Sequence, residues 1–145
     1  MTEGILDGKL ALVCGVANKR SIAWAIAQRL HDAGAQLAFT YQGDRLHDSV
    51  AKLAESVGSD VVVECDASSD ESIEDAFASV GDRLGGLDIL VHSIAYAPAE
   101  AFQSRFIETS RETFRVALDV SAYSLVAMAR AAEPLMAARA MATRE

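Results

Sequence analysis

LALVCGVANKRSIAWA, residues 10–25, is the stretch on which the fold turns. Leu10–Cys14 is a continuous apolar run, the pattern of a strand buried on both faces. Gly15 follows, then a polar segment from Asn18 to Arg20, then Ser21-Ile22-Ala23 opening a helical pattern. A pyrophosphate at such a junction needs a tight turn, a close approach of backbone, and helix N-terminal N–H groups aimed at the anion. Gly15 supplies the turn, Ser21 a hydroxyl at the helix start, and Ala23 a side chain small enough for close packing of helix on sheet. Yet the segment Gly15–Ala25 holds a single glycine where a glycine-rich loop has three. By itself it reads equally well as a phosphate loop or as a serine-capped helix after a turn.

Outward from this stretch the same alternation recurs. Apolar runs stand at 10–14, 37–41, 61–65 and 87–91. Between them, helical spacing is carried by Ile22, Ile26, Leu30 and Ala33, then by Leu46, Val50, Leu53 and Val57, then by Ile73, Phe77, Val80 and Leu84. Gly34 and Gly58 stand where C-terminal stops belong. Ser68–Glu71 and Thr109–Glu112 both have the Ser/Thr-x-x-Glu spacing of a capping box. The second precedes a longer helical stretch through Phe114, Leu118, Leu125 and Met128. Strand and helix alternating four times predicts one doubly wound α/β domain, a parallel sheet with helices on both faces. No linker, low-complexity segment or internal repeat interrupts it.

Composition narrows the function classes. The 145 residues suit one domain. Net charge is −8 with only three lysines (Lys9, Lys19, Lys52), which argues against nucleic acid as a partner. No leader pattern and no long uninterrupted apolar stretch appear, so a cytoplasmic protein without a membrane partner is expected. Cys14 and Cys65 lie inside apolar runs and read as small buried thiols. No metal site is expected.

In a doubly wound sheet, ligands bind beyond the carboxyl ends of the strands, so the residues after each run carry the functional reading. After the second strand, Gln42 stands where a dinucleotide site usually has an acidic residue on the adenosine ribose. It is uncharged, and Asp44 opposes any pairing of Arg45 with a 2′-phosphate, which favours NAD over NADP. After the third, Asp66 is suited either to an adenine amino group or to a turn before the next helix. After the fourth comes His92-Ser93-Ile94-Ala95-Tyr96-Ala97-Pro98, small and apolar enough for a cofactor to lie close to backbone. His92 has no carboxylate partner in sequence and reads as structural, while His31 and His47 read as solvated helix faces.

Taken together, Gly15-x5-Ser21-Ile22-Ala23, Ala38–Gln42, Cys65-Asp66 and His92–Pro98 resemble the bacterial NADH-dependent enoyl-acyl-carrier-protein reductases. These are members of the short-chain dehydrogenase/reductase superfamily, with a Rossmann-like fold. The resemblance runs from about Leu6 to Met136. It implies a phosphate loop at Gly15, Ser21 and Ile22, a ribose contact at Gln42 and adenine-edge contacts at Asp66 and Ala67. It also implies that Ile94 lines the nicotinamide ribose and that Ala97 is a substrate contact near the acyl chain. The implied cofactor is NADH, with NADPH less favoured. The implied reaction is reduction of a trans-2-enoyl chain on acyl carrier protein in fatty acid biosynthesis, by a homotetramer. Ser121 falls near the place where many short-chain dehydrogenases keep an asparagine.

The resemblance further implies a catalytic Tyr-x6-Lys pair. Seven residues after Tyr41, Tyr96 and Tyr123 stand Asp48, Gln103 and Arg130, and no lysine follows position 52. No catalytic residue is therefore assigned. Leu135–Glu145 is Ala- and Arg-rich where the family has an apolar fifth strand. The expectation is an N-terminal fragment, truncated after about four strands or frameshifted near position 138. Residues 1–138 would be part of a dinucleotide-binding domain and 139–145 an aberrant tail. Such a chain is expected to bind NADH weakly at most and to lack reductase turnover. A non-catalytic NAD(H)-binding or regulatory module is the competing reading, and a methyltransferase fits poorly because Gln42 replaces the usual acidic residue.

Overall fold

The computed structural model describes residues 4–142. Strands β1 (Leu10–Cys14), β2 (Gln36–Tyr41), β3 (Val62–Glu64) and β4 (Ile89–His92) alternate with helices α1 (Ile22–Asp32), α2 (Asp44–Ser56) and α3 (Asp70–Leu84). A one-turn α4 (Glu100–Gln103), α5 (Arg111–Leu118) and the long α6 (Ser124–Ala142) follow. All four strands are parallel, in the order β3-β2-β1-β4. This is the doubly wound arrangement expected from the alternation. Its order reverses at β1, which puts the binding crevice over the end of that strand.

The period of two along each strand splits the core between two layers. Ala11, Val13, Leu37 and Phe39 face α1 and α2, packing on Trp24, Ala27, Val50 and Leu53. Leu12, Cys14 and Ala38 face α3 and α6, packing on Ile73, Phe77 and Met128. Every residue of β1 is buried, which explains its uninterrupted apolar run. β4, paired only with β1 among the described strands, is half-buried along its length.

Three local expectations shift. The buried face of α1 is Ala23, Trp24 and Ala27 rather than a stripe led by Ile22, which is 75 % exposed at the helix mouth. Neither Ser/Thr-x-x-Glu pair forms a capping box, and each helix is capped by the serine one residue later. Ser69 accepts from the Ser72 N–H (3.2 Å) and Ser110 from the Thr113 N–H (3.0 Å). Ser68 is diverted because its N–H and hydroxyl both donate to Asp66 Oδ1, and Thr109 because its N–H closes a 3-10 turn onto Phe106 O. Finally, the long helical stretch after residue 110 is interrupted by a π-turn at Asp119–Tyr123. The inserted residue breaks the single stripe: Met128 is buried, whereas Phe114, Leu118 and Leu125 are about half exposed.

The expected boundary at 138 falls inside α6, and residues 143–145 of the expected tail lie outside the described residues. Within α6, Arg139 Nε donates to Asp88 Oδ2 (3.1 Å) and its guanidinium also donates to Gly8 O. Asp88 accepts the Leu10 N–H (2.9 Å) and lies 3.7 Å from Lys9 Nζ. This cluster ties the end of α6 to the start of β1.

Desolvation pushes the Asp88 carboxyl upward, but the Leu10 amide and the charges of Arg139 and Lys9 outweigh it and hold it below the usual range. A depressed carboxylate stabilises the fold above its unfolded value, about pH 4, and loses that contribution as pH falls through the lower folded value. Asp88→Asn is therefore expected to lower the urea midpoint clearly near pH 6 and progressively less toward about pH 2.5. A gap that does not change with pH would contradict this role for the charge.

Candidate functional site

The carboxyl ends of β1, β2 and β4, with the residues just past β3, enclose a cleft of about 200 Å³, lined by Gly15, Thr40, Gln42, Ala67, Ser93 and Ile94 among others. Larger clefts exist among the described residues, including one of about 350 Å³ between α3 and α6 that lies away from the strand ends where the order reverses. Gly15 has φ +108°, and a Cβ there would sit 1.9 Å from Ser93 O. The turn after β1 is thus pressed against the exit of β4, and only a residue without a side chain permits it.

Ser21 stands at the N-cap of α1 but does not cap it. Its hydroxyl oxygen turns back and accepts from the N–H groups of Ala17 (3.0 Å) and Asn18 (3.1 Å). The polar loop is thereby folded onto the helix start, with Asn18 Oδ1 accepting from the Arg20 N–H (2.8 Å). The amides of Ile22 and Ala23 have no acceptor among the described residues. Free first-turn N–H groups beside the exposed Lys19 and Arg20 suit an anion. Of the two readings open for this stretch, the side-chain cap is not what the serine does.

Gln42 and Asp66 are brought together from separate strand ends, Gln42 Nε2 donating to Asp66 Oδ1 (3.1 Å). The same oxygen accepts from Ser68, so Asp66 also makes the turn before α3. Ala67 lies beside it in the cleft wall. Arg45 is exposed in the first turn of α2, next to Asp44.

On the opposite wall, Ile94 lines the cleft, whereas Ala97 lies further along the same loop, half-buried and outside the lining. Ile22 stands exposed at the mouth of α1 and does not line it either. His92 Nε2 is 2.8 Å from Ser124 Oγ, and that hydroxyl donates to Val120 O (2.6 Å). Ser124 therefore accepts from the imidazole, which puts a proton on Nε2 and holds the ring as a tie between β4 and α6. His31 and His47 are exposed on their helices.

Thr40, Ser93 and Ser124 were not singled out from sequence. Thr40 lies inside the apolar run 37–41, where a hydroxyl is a readable signal; its hydrogen bond opposes the burial that pushes the Cys14 thiol up to about 12. Burial, with the charge of Asp66, pushes Cys65 up to about 11. Both buried thiols are inert at neutral pH. Ser124 is fully buried inside a helix, a position no spacing rule distinguishes.

Residues 15–143 match the family model described as enoyl-(acyl carrier protein) reductase. The enoyl-acyl-carrier-protein reductase (NADH) FabI of Aquifex aeolicus is 52 % identical over 136 residues, 94 % of this chain and 50 % of that protein. The Escherichia coli FabI is 46 % identical over 134 residues, 92 % of this chain and 51 % of its own length. The chain thus spans about half the length of the curated relatives it matches. Among solved structures, the Aquifex aeolicus enzyme superposes with a TM-score of 0.88 at 52 % identity, covering 91 % of this chain and 58 % of the other. A Bacillus cereus enoyl-acyl carrier protein reductase with NADP+ and indole naphthyridinone gives 0.87 at 41 %, covering 92 % and 52 %. A family model matched over residues 15–143, with relatives 46–52 % identical over more than nine-tenths of the chain, leaves one conclusion: the chain belongs to the enoyl-(acyl carrier protein) reductase family.

Proposed function

We propose that the cleft binds NADH and that the chain carries the cofactor half of an enoyl reductase acting on trans-2-enoyl chains held by acyl carrier protein. The observation that carries this reading is the convergence of Gly15, Gln42, Ala67 and Ile94 on one cleft at the strand ends. The turn at Gly15 leaves room that a Cβ would fill, and the open amides of Ile22 and Ala23 suit the pyrophosphate. Gln42 and Asp66 hold the adenosine end, while Ile94 forms the wall for the nicotinamide ribose. Bound there, the nicotinamide supplies a hydride to the β-carbon of the acyl double bond. Ala97, on the same loop, is read as an acyl-chain contact.

The uncharged Gln42, with Asp44 beside Arg45, supports NADH over NADPH. The names of the curated relatives accord with that, although the Bacillus cereus structure carries NADP+. Apolar side chains exposed along α5 and α6, among them Phe114, Leu118 and Val126, support assembly into a homotetramer. No described helix is long and apolar enough to cross a membrane, and a cytoplasmic setting fits the substrate. The absence of Tyr-x6-Lys from these 145 residues favours a second reading, a non-catalytic NAD(H)-binding module.

The test is titration of the isotopically labelled chain with NADH and NADPH, followed by backbone amide shifts. Shifts confined to Gly15–Ala23, Gln42, Asp66-Ala67 and Ser93–Ala95, larger for NADH, are the expected result. Shifts elsewhere, or none at millimolar cofactor, would overturn the reading. A crotonyl thioester assay on the same chain is expected to show no NADH consumption, since no tyrosine–lysine pair is present to stabilise the enolate.

A further inference from the structure

We propose that Ser49, on α2 and outside the cleft, is a positioning residue for the loop that receives the cofactor pyrophosphate, holding it through the carbonyl of Ala17. The Ser49 hydroxyl donates to Ala17 O (2.9 Å), and the Ala17 N–H donates to Ser21 Oγ (3.0 Å). Ala17 is thus held on two sides, by the start of α1 and by a helix residue 32 positions further along the chain. The other hydrogen bonds of residues 16–20 among the described residues close within the loop or onto Ser21 and span no more than four positions. Those bonds give the loop its shape. The Ser49 bond ties that shape to another element.

The direction of the hydroxyl makes it a tether. A serine inside a helix ordinarily turns its hydroxyl back to a carbonyl of the preceding turn. Ser56 on the same helix does so, donating to Leu53 O (2.6 Å). Ser49 instead reaches across to Ala17. The helix it stands on is itself fixed, with Val50 fully buried and Leu53 packed in the core layer of Trp24 and Phe39. Gly15, Val16 and Ala17 line the cofactor cleft, whereas Ser49 lines a separate cleft with Asn18, Lys19 and Lys52, so it acts through the loop. A carbonyl held toward α2 is also kept from turning toward an anion. The bond therefore protects the phosphate-binding character that the open amides of Ile22 and Ala23 give the site.

This inference rests on the cofactor reading, and its test separates the two. Wild type, Ser49→Ala and Ser49→Thr are compared by amide hydrogen exchange without ligand and by amide-shift titration with NADH, ADP and adenosine, the last of which carries no phosphate. Alanine is the better helix former, so weaker binding by Ser49→Ala would not reflect a weaker α2. In Ser49→Ala, exchange at Ala17 and Asn18 is expected to rise at least about fivefold. Affinity for NADH and ADP is expected to fall about five- to tenfold, and that for adenosine to stay within about twofold. Ser49→Thr, which keeps the hydroxyl, is expected to restore most of the lost affinity. A loss for adenosine equal to that for ADP would mark a merely structural serine and overturn the proposal, as would unchanged exchange or unchanged ADP affinity. If wild type binds none of the three ligands, the cofactor reading fails, and exchange at Ala17 and Asn18 alone then decides whether Ser49 holds the loop.

Discussion

Gly15→Ala is expected to destabilise the domain by about 3–5 kcal/mol and to abolish the amide shifts that NADH produces. Two costs combine. The backbone sits at φ +108°, a region in which an alanine is strained by about 1–3 kcal/mol. The added methyl would lie 1.9 Å from Ser93 O, and that atom belongs to backbone held by the Cys14 carbonyl, so it cannot swing aside as a flexible side chain would. Relief requires the exits of β1 and β4 to separate, which breaks the cleft as well as the packing. Urea unfolding with matched m-values measures the first effect and the NADH titration the second. A variant within about 1 kcal/mol of wild type would show that the turn has room the structure does not display.

Phe39→Ala is expected to cost about 3–5 kcal/mol and to lower the melting temperature by roughly 10 °C or more. Phe39 is fully buried in β2, an interior strand, flanked in register by Val13 of β1 and Val62 of β3. Its ring packs against Trp24 of α1 at a centroid distance of 6.3 Å and an interplanar angle of 41°. Removing it opens a cavity walled on two sides by hydrogen-bonded strands, which cannot collapse inward. Phe102→Ala is the matched control, because Phe102 is 80 % exposed on α4 and its loss should be worth no more than about 0.5 kcal/mol. Thermal unfolding of the two variants side by side checks the contrast. Equal losses would mean that burial does not govern the ranking.

The fold was readable because β1–β4 lie in nearly continuous apolar runs and β1, β2 and β3 are each followed by a helix of clear period. What misled was local. Ile22 reads as part of an apolar stripe, but it lies in the first turn of α1, beyond the sheet, and faces solvent. Ser68 and Thr109 match a capping motif, but competing bonds to Asp66 and Phe106 O take their donors, and the following serine becomes the cap. The π-turn leaves no mark in spacing, because Asp119–Tyr123 contains neither proline nor glycine.

For the site, the same distinction holds. Gly15, Gln42 and Ile94, read from their places after the strands, meet at one cleft because a parallel sheet delivers every strand end to one edge. Nothing in the order of residues said that the Ser21 hydroxyl would turn back to the loop and leave the helix amides open. Nor did it say that Gln42 and Asp66 would bond to each other, or that Ser121 would grip Tyr96 across 25 residues of chain. Which acceptor a hydroxyl or amide takes depends on how the strand ends and helices meet in space. Periodicity along the chain determined the layers and the edge where the cleft opens; only the packed tertiary structure decided how its walls are held.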